Sequence, residues 1–298
     1  MKIIAVESGD VRLQLVAPPR DLAPYISLYY RTDVAPGAVV EDLVPPEWAN
    51  LRVGRGQVYE AAMGAGALRP VPSMVVSGPT SRASRLRIGE GHYWGIGLLP
   101  LGFVKLLGIP ASDYADRFRP VAEEPAAEPL LPMLAQLLGQ SGPMEGPVAM
   151  LNERFRTLLS NPLPQAEAIQ AVHRAVVSDH VQSVASLVRE TRLSTRTLER
   201  FCRRTFGFNP QLLLRRQRFL RSLASFMVDP SMNWIRSLDS HYHDHAHFVR
   251  DFRWFMGIRP SDYAAMEHPV TAVVVRARHA LRGEAMQLLH QPDPPAVA

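Results

Sequence analysis

The sequence predicts a multi-domain α+β protein: an N-terminal β domain, a helical linker and a C-terminal all-α domain with two helix-turn-helix units. Three observations carry this. The first hundred residues hold short apolar runs bounded by Gly, Pro and Ser, as strands do. From about residue 101 the apolar period lengthens to that of helices. And one seventeen-residue pattern occurs twice, 50 residues apart.

In the β half, "VRLQLVA" alternates Val11, Leu13 and Leu15 with Arg12 and Gln14, the period of a half-buried strand. "LRVGRGQVYEAAMG", "SMVVSG", "SRLRIG" and "HYWGIGLLP" follow as further short runs, and their spacing suits a sandwich or small barrel. The glycines of "GEGHYWGIG" open no helix, so they read as a bend or strand edge and not as a dinucleotide fingerprint.

"LGFVKLLG" reads as a short helix stopped by Gly108 and Pro110. "PVAEEPAAEP" is a connection, and "LLPMLAQLLGQ", "PVAMLNERFRTLLS" and "AEAIQAVHRAVVS" are helical in period. Their apolar stripe, Leu131, Leu134, Leu137 and Leu138, either packs on the β domain or pairs across a dimer.

The charge is uneven. Of 33 basic residues 31 are Arg; residues 1–180 net −2, residues 181–265 net +7 and residues 266–298 net zero. A basic module inside a nearly neutral chain suits an anionic partner. No run approaches the ~18 apolar residues of a membrane helix, and Glu7 and Asp10 interrupt any leader-like start. The single cysteine, Cys202, excludes an internal disulfide and fits a cytoplasmic location.

The repeat lies in the basic module. "STRTLERFCRRTFGFNP" starts at Ser194 and "DHAHFVRDFRWFMGIRP" at Asp244. Ser194 and Asp244 are N-caps, Gly207 and Gly257 are C′ stops, and Pro210 and Pro260 follow the stops. Each copy follows another short helical stretch, "VQSVASLVRETRL" and "SMNWIRSLDSHYH", which gives the helix-turn-helix layout. "PQLLLRRQRFLRSLASFMVD" between the copies is long enough for a connecting helix of about 18 residues.

On the first capped helix Leu198, Cys202, Thr205 and Phe206 share a buried side, which leaves Arg196, Glu199, Arg200 and Arg203 outside. On the second, Phe248, Phe252 and Phe255 turn inward while His245, Ala246, Val249, Arg250 and Arg253 turn outward. An Arg-bearing outer stripe near a helix N-terminus is what major-groove reading needs, because guanidinium bonds guanine in bidentate fashion. Arg196, Glu199, Arg200, His245, Ala246, Val249 and Arg250 are therefore expected at base edges of double-stranded DNA. Arg203, Arg204, Arg215, Arg216 and Arg253 are expected at phosphates or in solvent.

Residues 181–265 resemble the AraC-type transcription regulators in "LSTRTLERF…FGFNP", "RRQRFLRSL" and "DHAHFVRDFRWFMGIRP". The resemblance implies two helix-turn-helix units joined by a long helix, sequence-specific DNA binding and a structural role for Arg218. His241 stands where the family has Gly, His245 where it has Gln, and Arg236 where an aliphatic residue is usual. "LAPYISLYYR", "VVSGPTSRASRL" and "YWGIGLLPLGFVKLLGIPASDYADRF" resemble an N-terminal domain found on some of these regulators. It implies a cupin-like β-barrel that senses a small-molecule effector or serves homodimerisation. The expected division is 1–126 for that domain, 127–180 for the linker, 181–266 for the DNA-binding domain and 267–298 for a tail the family pattern does not explain.

Enzymatic readings find little support. The first 170 residues contain one histidine, His92, too few for a metallocupin. Cys202 falls at a core position of the repeat rather than at a reactive one, and no nucleophile-elbow motif frames a triad. The alternative function is metal binding through the 241–247 histidines of "HYHDHAHF". A strand would put all four on one face. A helix capped by Asp244 leaves only the pairs 241/245 and 243/247 at i, i+4. No metal or other cofactor is expected.

Overall fold

In this computed structural model, residues 1–229, 237–242, 244–283 and 285–290 are described. The N-terminal part is one antiparallel sheet of β1 (Ile3–Ser8), β2 (Val11–Val16), β3 (Ile26–Val44), β4 (Asn50–Gly56), β5 (Tyr59–Met63), β6 (Arg69–Pro70), β7 (Met74–Ser77), β8 (Ser84–Leu98) and β9 (Phe118–Pro120). The order is β1-β2-β3-β8-β4-β7-β9, with β5 paired to β8 and β6. The end strands β1 and β9 do not pair, so the expected cupin-like barrel is an open sheet. Strand alternation reports which face is buried, not whether the edges meet.

The two runs "SRLRIG" and "HYWGIGLLP" are one strand, β8, whose first half pairs with β5 and second half with β4. Its glycines are packing positions. A Cβ on Gly95 would lie 1.9 Å from the Tyr30 ring, so the ring lies over the strand only because that position is bare.

The helices are α1 (Pro100–Leu107), α2 (Leu131–Leu137), α3 (Glu145–Leu158), α4 (Ala166–Val177), α5 (Val184–Thr191), α6 (Thr195–Phe206), α7 (Pro210–Val228), α8 (His245–Met256), α9 (Pro260–Ala265) and α10 (Thr271–Arg282). One face of the sheet, with Val16, Tyr29, Leu51 and Trp94, is buried under α1, α2 and α3. Leu134 and Leu137 are fully buried there, with Leu131 and Leu138 packed beside them, so the leucine stripe covers the β domain. None of the described helices is long and apolar enough to cross a membrane.

The other face, with Val11, Leu13, Leu15 and Leu28, is covered by Val270, Val273 and Ala277 of the C-terminal tail. The N-terminus of α10 has no side-chain cap from its own N-cap residue, Val270. Asp42 of β3 serves instead: its Oδ2 accepts from the backbone N–H of Val270 at 2.9 Å and of Thr271 at 2.6 Å. The tail that the family pattern leaves unexplained is thus the second cover of the sheet.

Candidate nucleic-acid interface

The repeat folds as two helices of equal length. Each of α6 and α8 has 12 residues; Ser194 caps α6, Asp244 caps α8, and each ends on a left-handed glycine, Gly207 at φ 84° and Gly257 at φ 76°. Pro210 and Pro260 do more than follow the stops: each opens the next helix at its first position, where a missing N–H costs nothing. The connecting helix α7 has 19 residues. In the first unit α5 starts with a reciprocal capping box between Ser183 and Ser186 and turns into α6 through Arg192 at φ 57°. In the second, the helix expected before Asp244 and the unusual Arg236 lie outside the described residues apart from 237–242.

The faces fall as the period requires. Leu198, Cys202, Thr205 and Phe206 are buried, and Arg196, Glu199, Arg200, Arg203 and Arg204 are exposed. Burial pushes the Cys202 thiol up to about 12, which leaves it an unreactive core group. On α8, Phe248, Phe252 and Phe255 are buried and His245, Ala246, Arg250 and Arg253 are exposed. Val249 departs from the outward set: it is half-buried and leans on the helical core.

One of the arginines expected at phosphates or in solvent, Arg216, is in neither place, while Arg215 stays a third exposed. Arg216 is completely buried, its Nη1 donating to the Thr80 carbonyl at 2.7 Å. Arg215 donates from Nε to Asp251 at 2.7 Å. Asp251 is the residue that sequence reasoning missed. It is buried inside α8, and it also accepts from the Tyr242 hydroxyl at 3.0 Å and pairs with Arg218 at 3.5 Å. One carboxylate thus ties α7, α8 and the turn before α8 together, which holds the outer face of α8 in place. An acid at the inward period of a phenylalanine-rich helix was the available signal.

The C-terminal end of α8 is docked on the segment 79–83 that joins β7 to β8, and the glycine stop of α6 lies against Pro79 of the same segment as well as against Ala111 and Ala115. A Cβ on Gly207 would meet Pro79 at 2.7 Å. The N–H of Ala83 donates to the Phe255 carbonyl at 2.7 Å, Arg82 donates to the Trp254 carbonyl, and its guanidinium lies 3.7 Å from the Trp254 ring centre. The N-terminal halves, with Arg196, Glu199, Arg200, His245, Ala246 and Arg250, stay open. On α6 the stripe forms one wall of a groove whose other wall is Pro110 and Ser112.

The histidine run is a turn and a helix start. His241 Nδ1 lies 2.8 Å from Asp239 Oδ1. The backbone N–H of His247 donates to the Asp244 cap, and burial holds its ring below the ordinary imidazole range. Among the described residues no three His, Cys, Asp or Glu side chains are placed to share a metal ion; His243 lies outside them.

Among solved structures, the chain is similar to ToxT from Vibrio cholerae O395 at 11% identity, with 79% of this chain and 95% of that chain covered and a TM-score of 0.42. It is also similar to the AraC-like transcriptional activator CuxR at 14% identity, with 72% and 81% covered and a TM-score of 0.28. No curated protein matches it. Residues 14–120 match a domain of unknown function, DUF6597, and residues 187–266 match the family described as a helix-turn-helix domain. The paired, capped helices fall inside that second match, so the C-terminal part of the chain carries a helix-turn-helix domain.

Proposed function

We propose that α6 and α8 enter two successive major-groove segments on one face of double-stranded DNA, about one helical turn apart. The observation that carries this is the pair of equal, capped helices with Arg-bearing outer stripes, joined by α7 and held by their far ends against the β domain. Arg196, Glu199 and Arg200 of α6, and His245, Ala246 and Arg250 of α8, meet base edges; Val249 offers only its exposed part. Arg203 and Arg253 sit one turn further along and meet phosphates. In the same reading residues 181–266 do the reading of DNA, and a small molecule held by the N-terminal domain controls it.

Selection of bound DNA from a random pool tests this. The full chain should enrich a site with two information blocks about 10 base pairs apart and bind it with nanomolar affinity that falls steeply with salt. A chelator should leave both unchanged. Enrichment of a single block, or loss of binding in chelator, would overturn the two-reader account, the second outcome in favour of the histidine cluster.

A further inference from the structure

Helix α6 does not stand clear of the β domain along its whole flank. The short turn Ala111–Asp113 runs beside it, and an open groove of about 440 Å³ separates the two. Four arginines and Glu199 form the α6 wall, and Pro110 and Ser112 form the other. At ~30 Å³ per molecule the groove has room for roughly fifteen waters. It is a solvated cationic channel and not a dry pocket.

The second wall is fixed before anything binds. Ala111 is buried, and the Tyr114 ring sits in the core of the sheet, edge-on to Phe103. Asp116 accepts from the Ser81 N–H at 2.6 Å and from the Ser81 hydroxyl at 2.7 Å, which ties the turn to the 79–83 segment. Ala111 and Ala115 lie against the glycine stop of α6. Ser112 itself is exposed, and its hydroxyl donates to the neighbouring Asp113 at 3.3 Å. A rigid element thus presents a hydroxyl that can turn to another acceptor.

Duplex geometry gives the groove a use. A helix with its side chains is about 10–12 Å across, and the major groove is about 12 Å wide. A helix seated there has one sugar–phosphate strand on each flank. The flank of α6 that faces Ser112 is walled by protein, so the strand on that side has one place to run, between α6 and the turn. Four guanidiniums against one carboxylate give the passage the sign that a phosphate strand needs, and a hydroxyl is a common phosphate donor.

We propose that this groove is the track of one DNA strand, and that the β domain, through Ser112, is itself part of the DNA interface. The proposal rests on the reading of DNA by α6 above and extends it: the strand beside α6 is gripped from both sides, with one wall from each domain. Asp113, exposed next to Ser112, opposes the grip, because its carboxylate repels the same phosphates.

Directed cleavage tests it. Cys202 is the one cysteine of the chain and is buried, so a Ser112→Cys variant carries a single accessible thiol. Labelled there with an iron chelate that cuts the DNA backbone, the full chain on pool-selected DNA should cut the strand flanking the block read by α6. The wild-type chain carried through the same labelling supplies the background. No cutting above that background, or cutting only at the block read by α8, would overturn the track. Charge variants give a second readout, and because Ser112 is exposed they ask for no repacking. Ser112→Arg should tighten selected and random DNA alike by about threefold and steepen the salt slope by about one, and Ser112→Glu should weaken both by about threefold. Affinities that neither charge moves would overturn it as well. Selection that succeeds without cutting from position 112 sinks the strand track alone, whereas failure to select any DNA sinks the reading by α6 with it.

Discussion

The guanidinium of Arg216 lies 4.4 Å from the centre of the Trp48 ring, in the seam between the sheet and the DNA-binding helices. Its ring contacts are completed by Phe208 at 5.3 Å, and its Nη1 bonds the Thr80 carbonyl. Nε and Nη2 have no hydrogen-bond partner, and burial pushes the guanidinium down to about 9. A buried cation held by rings and one carbonyl gains little over an apolar side chain of equal volume. Arg216→Met should therefore keep the urea unfolding free energy within about 1 kcal/mol, while Arg216→Ala should lose about 3 kcal/mol to the cavity it leaves. A Met variant as unstable as the Ala variant would show that the charge itself holds the seam.

His173 of α4 stands edge-on to Trp48 at 5.5 Å and 6.2 Å from Phe206, and burial pushes its imidazole down to about 3. Beside it stand Arg174, Arg216 and His290, which add to the cost of a proton there. The sign follows: below pH ~6.5 the unfolded chain takes up a proton that the folded chain refuses, so stability falls with pH until about 3. At pH 5.5 the loss from this residue is ~1 kcal/mol. His173→Gln should flatten that part of the pH profile relative to wild type, read from urea midpoints at pH 7.5 and 5.5. Parallel profiles for the two proteins would refute the assignment.

Asp251→Asn removes the negative charge beneath Arg215 and Arg218. Breaking a buried pair from one side leaves cations with poorer partners, here at a cost of about 2–3 kcal/mol because Arg215 remains a third exposed. The expected result is selective damage. Footprinting on pool-selected DNA should lose the block read by α8 and retain the block read by α6. Equal loss of both blocks would mean that Asp251 supports the whole domain.

Arg200→Ala should cost about 1–3 kcal/mol on the selected site and relax preference at one base position. Arg203→Ala should weaken selected and random DNA alike and lower the salt slope by about one. Competition titrations at two salt concentrations separate them. An equal loss on selected and random DNA for Arg200→Ala would move it to the phosphates.

The reading domain was legible because its signals are local. A cap, a heptad-like stripe, a glycine stop and a proline sit within seventeen residues, and duplication makes each copy a check on the other. Arg216 was misassigned because nothing adjacent in sequence separates a buried arginine from its solvated neighbours Arg203 and Arg204; Trp48 and Thr80, which bury it, are more than 130 positions away. The open sheet was missed because closure depends on whether β1 reaches β9, a relation between the ends of the β half. The tail was opaque for the same reason. "PVTAVVVRARHA" reads as an apolar helix, but its partners are the alternating Val11, Leu13 and Leu15 at the other end of the chain.

The return of that tail makes the chain path a circuit. The reading domain leaves the sheet through α4 and comes back to it through α10, so it is moored at two points. Undocking residues 79–83 from α6 and α8 leaves both moorings intact. The freed surfaces then face each other at an effective concentration of about millimolar, set by short tethers and independent of how much protein is present. Any opening and closing of this seam is thereby a private equilibrium of each molecule, which dilution cannot shift.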